Sequence, residues 1–495
     1  MPRAAFLAPF ALAATMAAGV CWGAAPPPSA SPQPAPLLAP QPPPLTVADK
    51  IAITAALAAA PSQGLPAAAV PRADASDQAL ADAAIAYARA ENGLIADPAA
   101  LDPNFALKPA DGAAAQFAAA RDTGRVAAWI GGLTRADPTY LALVGARDGY
   151  AAIVSAGGWQ PITGGKAPKL GASDARLPLL RARLALEGYL SAPPAPPPLL
   201  APLVRAAQDA GAPPAAPAPQ EPAPETLFDA PLAAALASFQ EHHGLKADGV
   251  LTAATVAALN VPADARLAAI EANLERARWL PSQMPANRIE VDLGAPDATL
   301  FEAGAPVLTM RAIVGRPDRQ TPTFVSKVVA VKFNPPWIVP SEIAAQEILP
   351  KERASPGYLA RNDYYLDGGQ VIQRPGPKAA LGYVKFEMPD PFGVYLHDTP
   401  SRTLFARDGR WLSHGCMRLE KPRELAAAVL APQGWDRAAV DAAIAAAATR
   451  SVPVKRQVPV FVVYRTVVAA PDDHVLFRAD VYRWDAKIAA ALAGR

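Results

Sequence analysis

Apolar positions along the chain first recur at helical spacing and then, beyond the midpoint, at the spacing of strands. In residues 77–89, Leu80, Ala83, Ala84 and Tyr87 fall at i, i+3, i+4 and i+7 and form one stripe. Leu180, Leu184 and Tyr189 repeat the stripe among the charged Arg181, Arg183 and Glu187. A small helical unit follows. Leu232, Leu236 and Phe239 stack on one helix, Gly244 stops it, Asp248-Gly249 makes a turn, and Thr252 caps a second helix carrying Val256 and Leu259. A longer helix over about 264–279 aligns Leu267, Ile270, Leu274 and Arg278 before Pro281. From Arg288 the period drops to two: Ile289, Val291 and Leu293 alternate with Glu290 and Asp292, and β-prone runs follow at 307–314, 327–333 and 458–468. Residues 335–382 fit neither pattern. With two short helical pieces, at 341–349 and 357–361, they predict a lid inserted in a compact β domain.

The predicted fold class is therefore multidomain: an α-helical scaffold, a small helical unit, then a mainly β domain with a lid insertion. The boundaries are a leader over 1–25, a Pro/Ala-rich tether over 26–44, the scaffold over 45–224, the small unit over 225–262, a connecting helix over 263–286 and the β domain over 287–495. A length of 495 residues suits several domains. The 57 prolines collect mainly in the tether and in a stretch over 192–224, which reads as a flexible excursion or a domain joint. Charge nearly cancels, 46 Lys+Arg against 44 Asp+Glu, which excludes electrostatic capture of nucleic acid.

Two cysteines, Cys21 and Cys416, exclude a disulfide framework. Arg3, an apolar run over 4–20 and the small residues Gly23, Ala24 and Ala25 ahead of three prolines predict a secretory signal peptide. Left uncleaved, the same segment would be an anchor. A lipoprotein reading of Cys21 fails, because Val20 stands where a small residue is needed. Cleavage after Ala25 would remove Cys21 and leave Cys416 as the one thiol of an exported protein, an arrangement that suggests a reactive role.

Two of the five histidines, His397 and His414, fall near that thiol, in Tyr395-Leu396-His397-Asp398-Thr399-Pro400 and Ser413-His414-Gly415-Cys416-Met417-Arg418. A thiol attacks as thiolate, and a neighbouring imidazole or backbone dipole is expected to lower its pKa. If 413–418 is extended, His414 and Cys416 share a face, and His397 lies far enough upstream to return beside them. Gly415 lets the backbone approach a substrate, so its amide and that of Cys416 could form an oxyanion hole. The plain alternative is a buried structural cysteine. Zinc would need three or four ligands; His474 is far along the chain and no second mature cysteine exists, so no metal or other cofactor is expected.

These residues resemble the active-site signature of the L,D-transpeptidases, whose YkuD-type catalytic domain carries a histidine segment and then S/T-H-G-C-x-R. The segments 314–322, 334–337, 347–351 and 375–382 resemble the large, scaffolded YcbB-like branch, as do Leu101-Asp102-Pro103 and Gly157-Gly158-Trp159 more weakly. The Pro-dense stretch departs from that pattern. The resemblance implies a cysteine acyltransferase of cell-wall biogenesis and cell shape that acts on peptidoglycan in the periplasm. Cys416 would attack the L-centre carbonyl of diaminopimelate in a donor tetrapeptide stem, expel D-Ala and form a thioester. The D-centre amine of an acceptor stem would then resolve it as a 3-3 cross-link.

Within that pattern His397 is the general acid/base and His414 supports the site. The third member is the Asp398 side chain or, as is common in the family, a backbone carbonyl. Tyr395 adds a possible oxyanion donor. Arg418, Trp337 and Ser413 are substrate-binding candidates, with Trp337 on the lid, and carbapenems are implied as covalent inhibitors. Water as acceptor would make the enzyme an L,D-carboxypeptidase or endopeptidase, and a structural thiol would leave a non-catalytic wall-binding scaffold. Phe239-Gln240, Gly244-Leu245 and Asp248-Gly249-Val250 resemble a helical peptidoglycan-binding domain. His242 and His243 are adjacent rather than four apart and read as surface residues. The 315–322 run lacks a phosphate-loop ending and predicts a hairpin turn.

Overall fold

The computed structural model describes residues 42–190 and 224–493, apart from 67, 68, 73, 108 and 110. The leader, nearly all of the tether and most of the Pro-dense stretch lie outside the described residues. No described helix is long and apolar enough to cross a membrane.

The helices form where sequence periodicity and caps agree. Ser76 caps Asp77–Glu91, the first predicted stripe, and buries Leu80, Ala84 and Tyr87. Asp229 and Thr252 cap Ala230–His242 and Ala253–Leu259, the two helices of the small unit. Between them buried Gln240 accepts from the Gly249 amide at 2.8 Å and donates to the Val250 carbonyl at 2.8 Å, fixing the Asp248-Gly249 turn. Leu177, Leu180 and Leu184 of the preceding helix share one apolar cluster with Leu232, Leu236, Phe239 and Leu259. The segments on either side of the Pro-dense stretch therefore pack as one unit. The connecting helix, Ala263–Arg278, buries Ile270 and Leu274 against Tyr140 and Leu143 of Pro138–Ser155.

Fourteen strands follow: β1 Arg288–Asp292, β2 Asp297–Glu302, β3 Ala305–Gly315, β4 Phe324–Phe333, β5 Trp337–Ile338, β6 Tyr364–Asp367, β7 Gln370–Gln373, β8 Val384–Glu387, β9 Leu396–His397, β10 Trp411–Ser413, β11 Met417–Leu419, β12 Arg450–Val463, β13 Val467–Ala469 and β14 Val475–Phe477. Nine make one sheet in the order β10-β3-β11-β9-β8-β4-β12-β1-β2, and a further β2–β3 pairing closes the ladder on itself. Closure protects edges that an open sheet would expose. The core lies on the face carrying Val314, Val331, Phe386, Leu396 and Met417, where Leu425 and Val429 of Pro422–Leu430 cover it.

Residues 337–373 supply a separate three-stranded sheet, β5-β7-β6, with its own apolar cluster of Val339, Ala344, Ile348, Tyr364 and Val371. The 315–322 run does not form a hairpin, because β3 and β4 are not neighbours in the sheet. It crosses instead beneath the Gly415 loop. His242 is buried rather than at the surface, and His243 stacks on Phe239 with centroids 3.8 Å apart. Both are covered because their helix packs against the β13–β14 hairpin, where Phe477 also stacks on His243.

Candidate active site

Two very short strands gather the chemistry. β9 and β11 run parallel, with Met417 opposite Leu396 and Arg418 opposite His397. Alternation sends Leu396, Met417 and Leu419 into the core and leaves His397 and Arg418 on the other face. One step earlier in the same register Tyr395 meets Cys416. The Met417 amide donates to the Tyr395 carbonyl at 3.0 Å, and the Tyr395 amide and hydroxyl both hydrogen-bond the Cys416 thiol. Lys385 of β8 stands opposite His397 on its other side, its ammonium 3.8 Å from the centre of the Tyr395 ring. Tyr395, His397, Cys416 and Arg418 are thus together, with Lys385 added.

His397 is 4% exposed. Burial, and then the charge of neighbouring Arg418, push its pKa down to about 3. The ring is neutral, and Nδ1 donates to the Asp398 backbone carbonyl at 2.5 Å, which leaves the Nε2 lone pair as a base. The Asp398 carboxylate is not the orienting group. It accepts from the Tyr383 amide at 2.9 Å, the Thr399 amide at 2.7 Å and Arg402 at 3.2 Å. Gly382 makes room for it, since a Cβ there would sit 2.4 Å from the carboxyl carbon.

Cys416 is half-buried and unpaired. Burial pushes its thiol pKa up, opposed by the two Tyr395 hydrogen bonds and by the charges of Lys385 and Arg418. The lowered pKa expected from sequence is therefore reversed, because desolvation outweighs the donors around the sulfur. At neutral pH the thiol and the His397 imidazole, on the same face of the sheet, are therefore both uncharged.

The loop before Cys416 also departs from the extended form. Gly415 adopts φ +115°, which breaks the alternation and turns His414 away from the thiol. His414 Nε2 lies 2.5 Å from Glu347 Oε1 and 3.2 Å from the Arg316 guanidinium. The Gly415 amide donates to Ser413 Oγ at 3.1 Å, so it is not free for an oxyanion. Ser413 Oγ donates to the Cys416 carbonyl at 2.6 Å and is 1% exposed, so its side chain shapes the loop instead of meeting substrate. Trp337 reaches the site through a side-chain hydrogen bond to Tyr395. Arg418 is largely buried, and its Nε has no hydrogen-bond partner among the described residues.

Residues 286–460 match the family described as "L,D-transpeptidase catalytic domain", known as YkuD. Residues 286–460 are thus similar to L,D-transpeptidase catalytic domains. Residues 218–259 match a second family, described as "Putative peptidoglycan binding domain". The chain is 32% identical over 236 residues to a Haemophilus influenzae protein named "Putative L,D-transpeptidase", covering 44% of this chain and 48% of that one. It thus spans about half the length of the curated relative it matches. It is also similar to the solved L,D-transpeptidase from Mycobacterium smegmatis, at 18% identity over 36% of this chain and 58% of that one, with a TM-score of 0.21. L,D-transpeptidase 3 from Mycobacterium tuberculosis, solved with a faropenem-derived adduct, gives 17% identity over 36% and 60%, with a TM-score of 0.21.

The β domain contains four residues whose contacts sequence reasoning did not assign. Lys385 lies in a plain alternating strand, Val384-Lys385-Phe386-Glu387, and nothing in that pattern shows that its neighbour across the ladder is His397. Arg316, Thr321 and Glu347 sit in segments that resemble the family, yet their roles depend on which loop they face. Thr321 Oγ1 donates to the Gly415 carbonyl at 2.7 Å and accepts from the Gly315 amide at 2.8 Å. Among the described residues, the one convergent set of three metal-ligand side chains lies away from this site, at His242, Asp472 and His474.

Proposed function

We propose that the protein is an exported peptidoglycan L,D-transpeptidase that forms 3-3 cross-links through a thioester on Cys416. One observation carries this reading: neutral His397, its Nδ1 committed to the Asp398 carbonyl, shares a face with Cys416 and Tyr395.

As Cys416 Sγ bonds to the L-centre carbonyl carbon of the donor diaminopimelate, His397 Nε2 takes the thiol proton. The carbonyl π pair moves to oxygen, and the Tyr395 hydroxyl and Cys416 amide receive that charge. When the tetrahedral centre collapses, the C–N bond to D-Ala breaks and His397 returns the proton to the leaving amine. The thioester is then attacked by the D-centre amine of a second stem, which gives its proton to His397, and the thiol is regenerated as the C–S bond breaks. A neutral base suits this sequence because it starts free to accept. Arg418, with an unpartnered Nε, pairs with a stem carboxylate. The 335–382 insertion acts as a lid whose exclusion of water favours the amine over hydrolysis. The leader directs the chain to the periplasm, the small helical unit engages peptidoglycan, and a carbapenem acylates the same sulfur.

The test is to incubate purified protein with tetrapeptide-bearing muropeptides and resolve the products by mass. Cross-linked dimers with release of D-Ala are expected. Tripeptide alone would replace this reading with hydrolysis, and absence of both turnover and thioester would overturn it. Cys416→Ala should abolish carbapenem acylation, and retained acylation would refute the nucleophile.

A further inference from the structure

Away from the catalytic face, the end of Ala230–His242 meets the tip of the β13–β14 hairpin. His242 is contributed by the small helical unit, and Asp472 and His474 by the hairpin that follows the last strand of the main sheet. Each offers one ligand atom, and these atoms all lie within 4.8 Å of one another. His242 Nε2 is 3.1 Å from Asp472 Oδ1, and His474 Nδ1 is 3.3 Å from Asp472 Oδ2. Two donors bound to one tetrahedral ion at about 2.0–2.1 Å stand about 3.3 Å apart. The spacing is that of a metal site.

The hydrogen bonding at His242 points the same way, while His474 Nδ1, 3.2 Å from the Asp472 backbone carbonyl, gives up its proton when an ion binds. His242 Nδ1 lies 2.8 Å from the Ser238 carbonyl, so Nδ1 carries the proton. In the neutral ring Nε2 then presents a lone pair to a carboxylate oxygen, an arrangement that a cation between them converts from repulsion to attraction. A ligating histidine whose other nitrogen donates to a backbone carbonyl is the usual outer-sphere pattern around zinc. The walls are preset. The His474 ring stacks on Tyr189 with centroids 4.5 Å apart, and Asp473 adopts φ +68°, a left-handed conformation at the hairpin tip between the two ligands. Asp472 is half exposed, which leaves a coordination position open to water.

We propose that His242, Asp472 and His474 bind one divalent ion of the zinc class and so clip the small helical unit to the catalytic domain. Two imidazoles and one carboxylate match the donor preference of Zn2+ and Co2+ rather than that of Mg2+ or Ca2+. The clip fixes how the small helical unit and the β domain are held together, whatever acceptor the thioester meets.

The experiment uses the full chain after chelator treatment and dialysis. Calorimetric titration with Zn2+ should show one saturable site per chain, Co2+ should give the visible absorption of a low-coordinate ion without a thiolate charge-transfer band, and Zn2+ should raise Tm. Asp472→Asn should keep the metal-free Tm, His474→Ala should lower it slightly through loss of the Tyr189 stack, and both should weaken binding by about a hundredfold or more, since even outer-sphere changes cost 10- to 100-fold. Cys416→Ala should bind as the wild type does. The proposal is overturned if no saturable uptake occurs, if both hairpin variants bind normally, or if loss of Cys416 removes the site. A metal-free Tm lowered in both hairpin variants, with Zn2+ affinity unchanged, would make the cluster a hydrogen-bonded pair only.

Discussion

His414 Nε2 and Glu347 Oε1 lie 2.5 Å apart, which joins the loop before Cys416 to the 335–382 insertion. The pair is partly exposed, at 22% and 39%, so it contributes about 0.2–1 kcal/mol, enough to bias closure by up to about fivefold without altering the fold. Glu347→Gln should therefore leave Tm within a few degrees and leave carbapenem acylation nearly unchanged. The ratio of cross-linked dimer to hydrolysed tripeptide should fall several-fold, as measured by mass analysis of muropeptide products. An unchanged ratio would show that this contact does not govern access of water.

His397 predicts an unusual pH response. Its pKa in an unfolded chain is near 6.5 and in the folded protein about 3, so between those values the unfolded chain binds the extra proton. Folding stability from this group is then complete above pH 6.5 and is lost as pH falls toward 3, by at most about 1.4 kcal/mol per pH unit. Wild type should lose more Tm than His397→Gln on acidification from pH 6.5 to 4.5. The acylation rate of the wild type should show no inflection near 6.5, while His397→Gln should be slower by about 10²- to 10⁴-fold at every pH. A wild-type inflection near 6.5 would contradict the neutral buried ring.

Much of this was legible in the sequence, and the misses share a cause. The helices at 77–91, 177–186 and 263–278 follow from apolar stripes, the first with a Ser76 cap, and the long strands from their period of two, because these signals are local. The Tyr395, His397, Cys416 and Arg418 set was legible because i, i+2 spacing on adjacent strands fixes a shared face. His414 broke the rule through one backbone angle at Gly415, and the thiol pKa was misjudged because burial is not written in neighbouring residues. Lys385, Thr321 and the His242–His474 pairing depend on contacts across the fold. No local pattern announces them.

Lys385 should tune the nucleophile. Its charge helps to lower the Cys416 pKa against the effect of burial. Lys385→Met keeps the chain over the Tyr395 ring but removes the charge. The pH midpoint of Cys416 alkylation by iodoacetamide should rise. Lys332→Met is the control, since the Lys332 ammonium is already paired with Glu387 at 2.5 Å. Equal midpoints in wild type and Lys385→Met would remove Lys385 from the electrostatics of the site.

Thr321 tests whether the loop beneath the nucleophile is held by a single hydroxyl. Its side chain is fully buried, donates to the Gly415 carbonyl at 2.7 Å and accepts from the Gly315 amide at 2.8 Å. Thr321→Val preserves shape and leaves both backbone groups buried without a partner, at roughly 1–3 kcal/mol each. Thr321→Ser keeps the hydroxyl and loses one methyl, worth about 1 kcal/mol. Valine should therefore lower Tm well beyond serine, and it should slow acylation of Cys416 by a larger factor than the stability loss explains, because Gly415 can then relax from its left-handed angle. Serine should restore most of the rate. If valine and serine variants acylate alike, the hydroxyl does not position the nucleophile, and the Gly415 conformation is held by Ser413 alone.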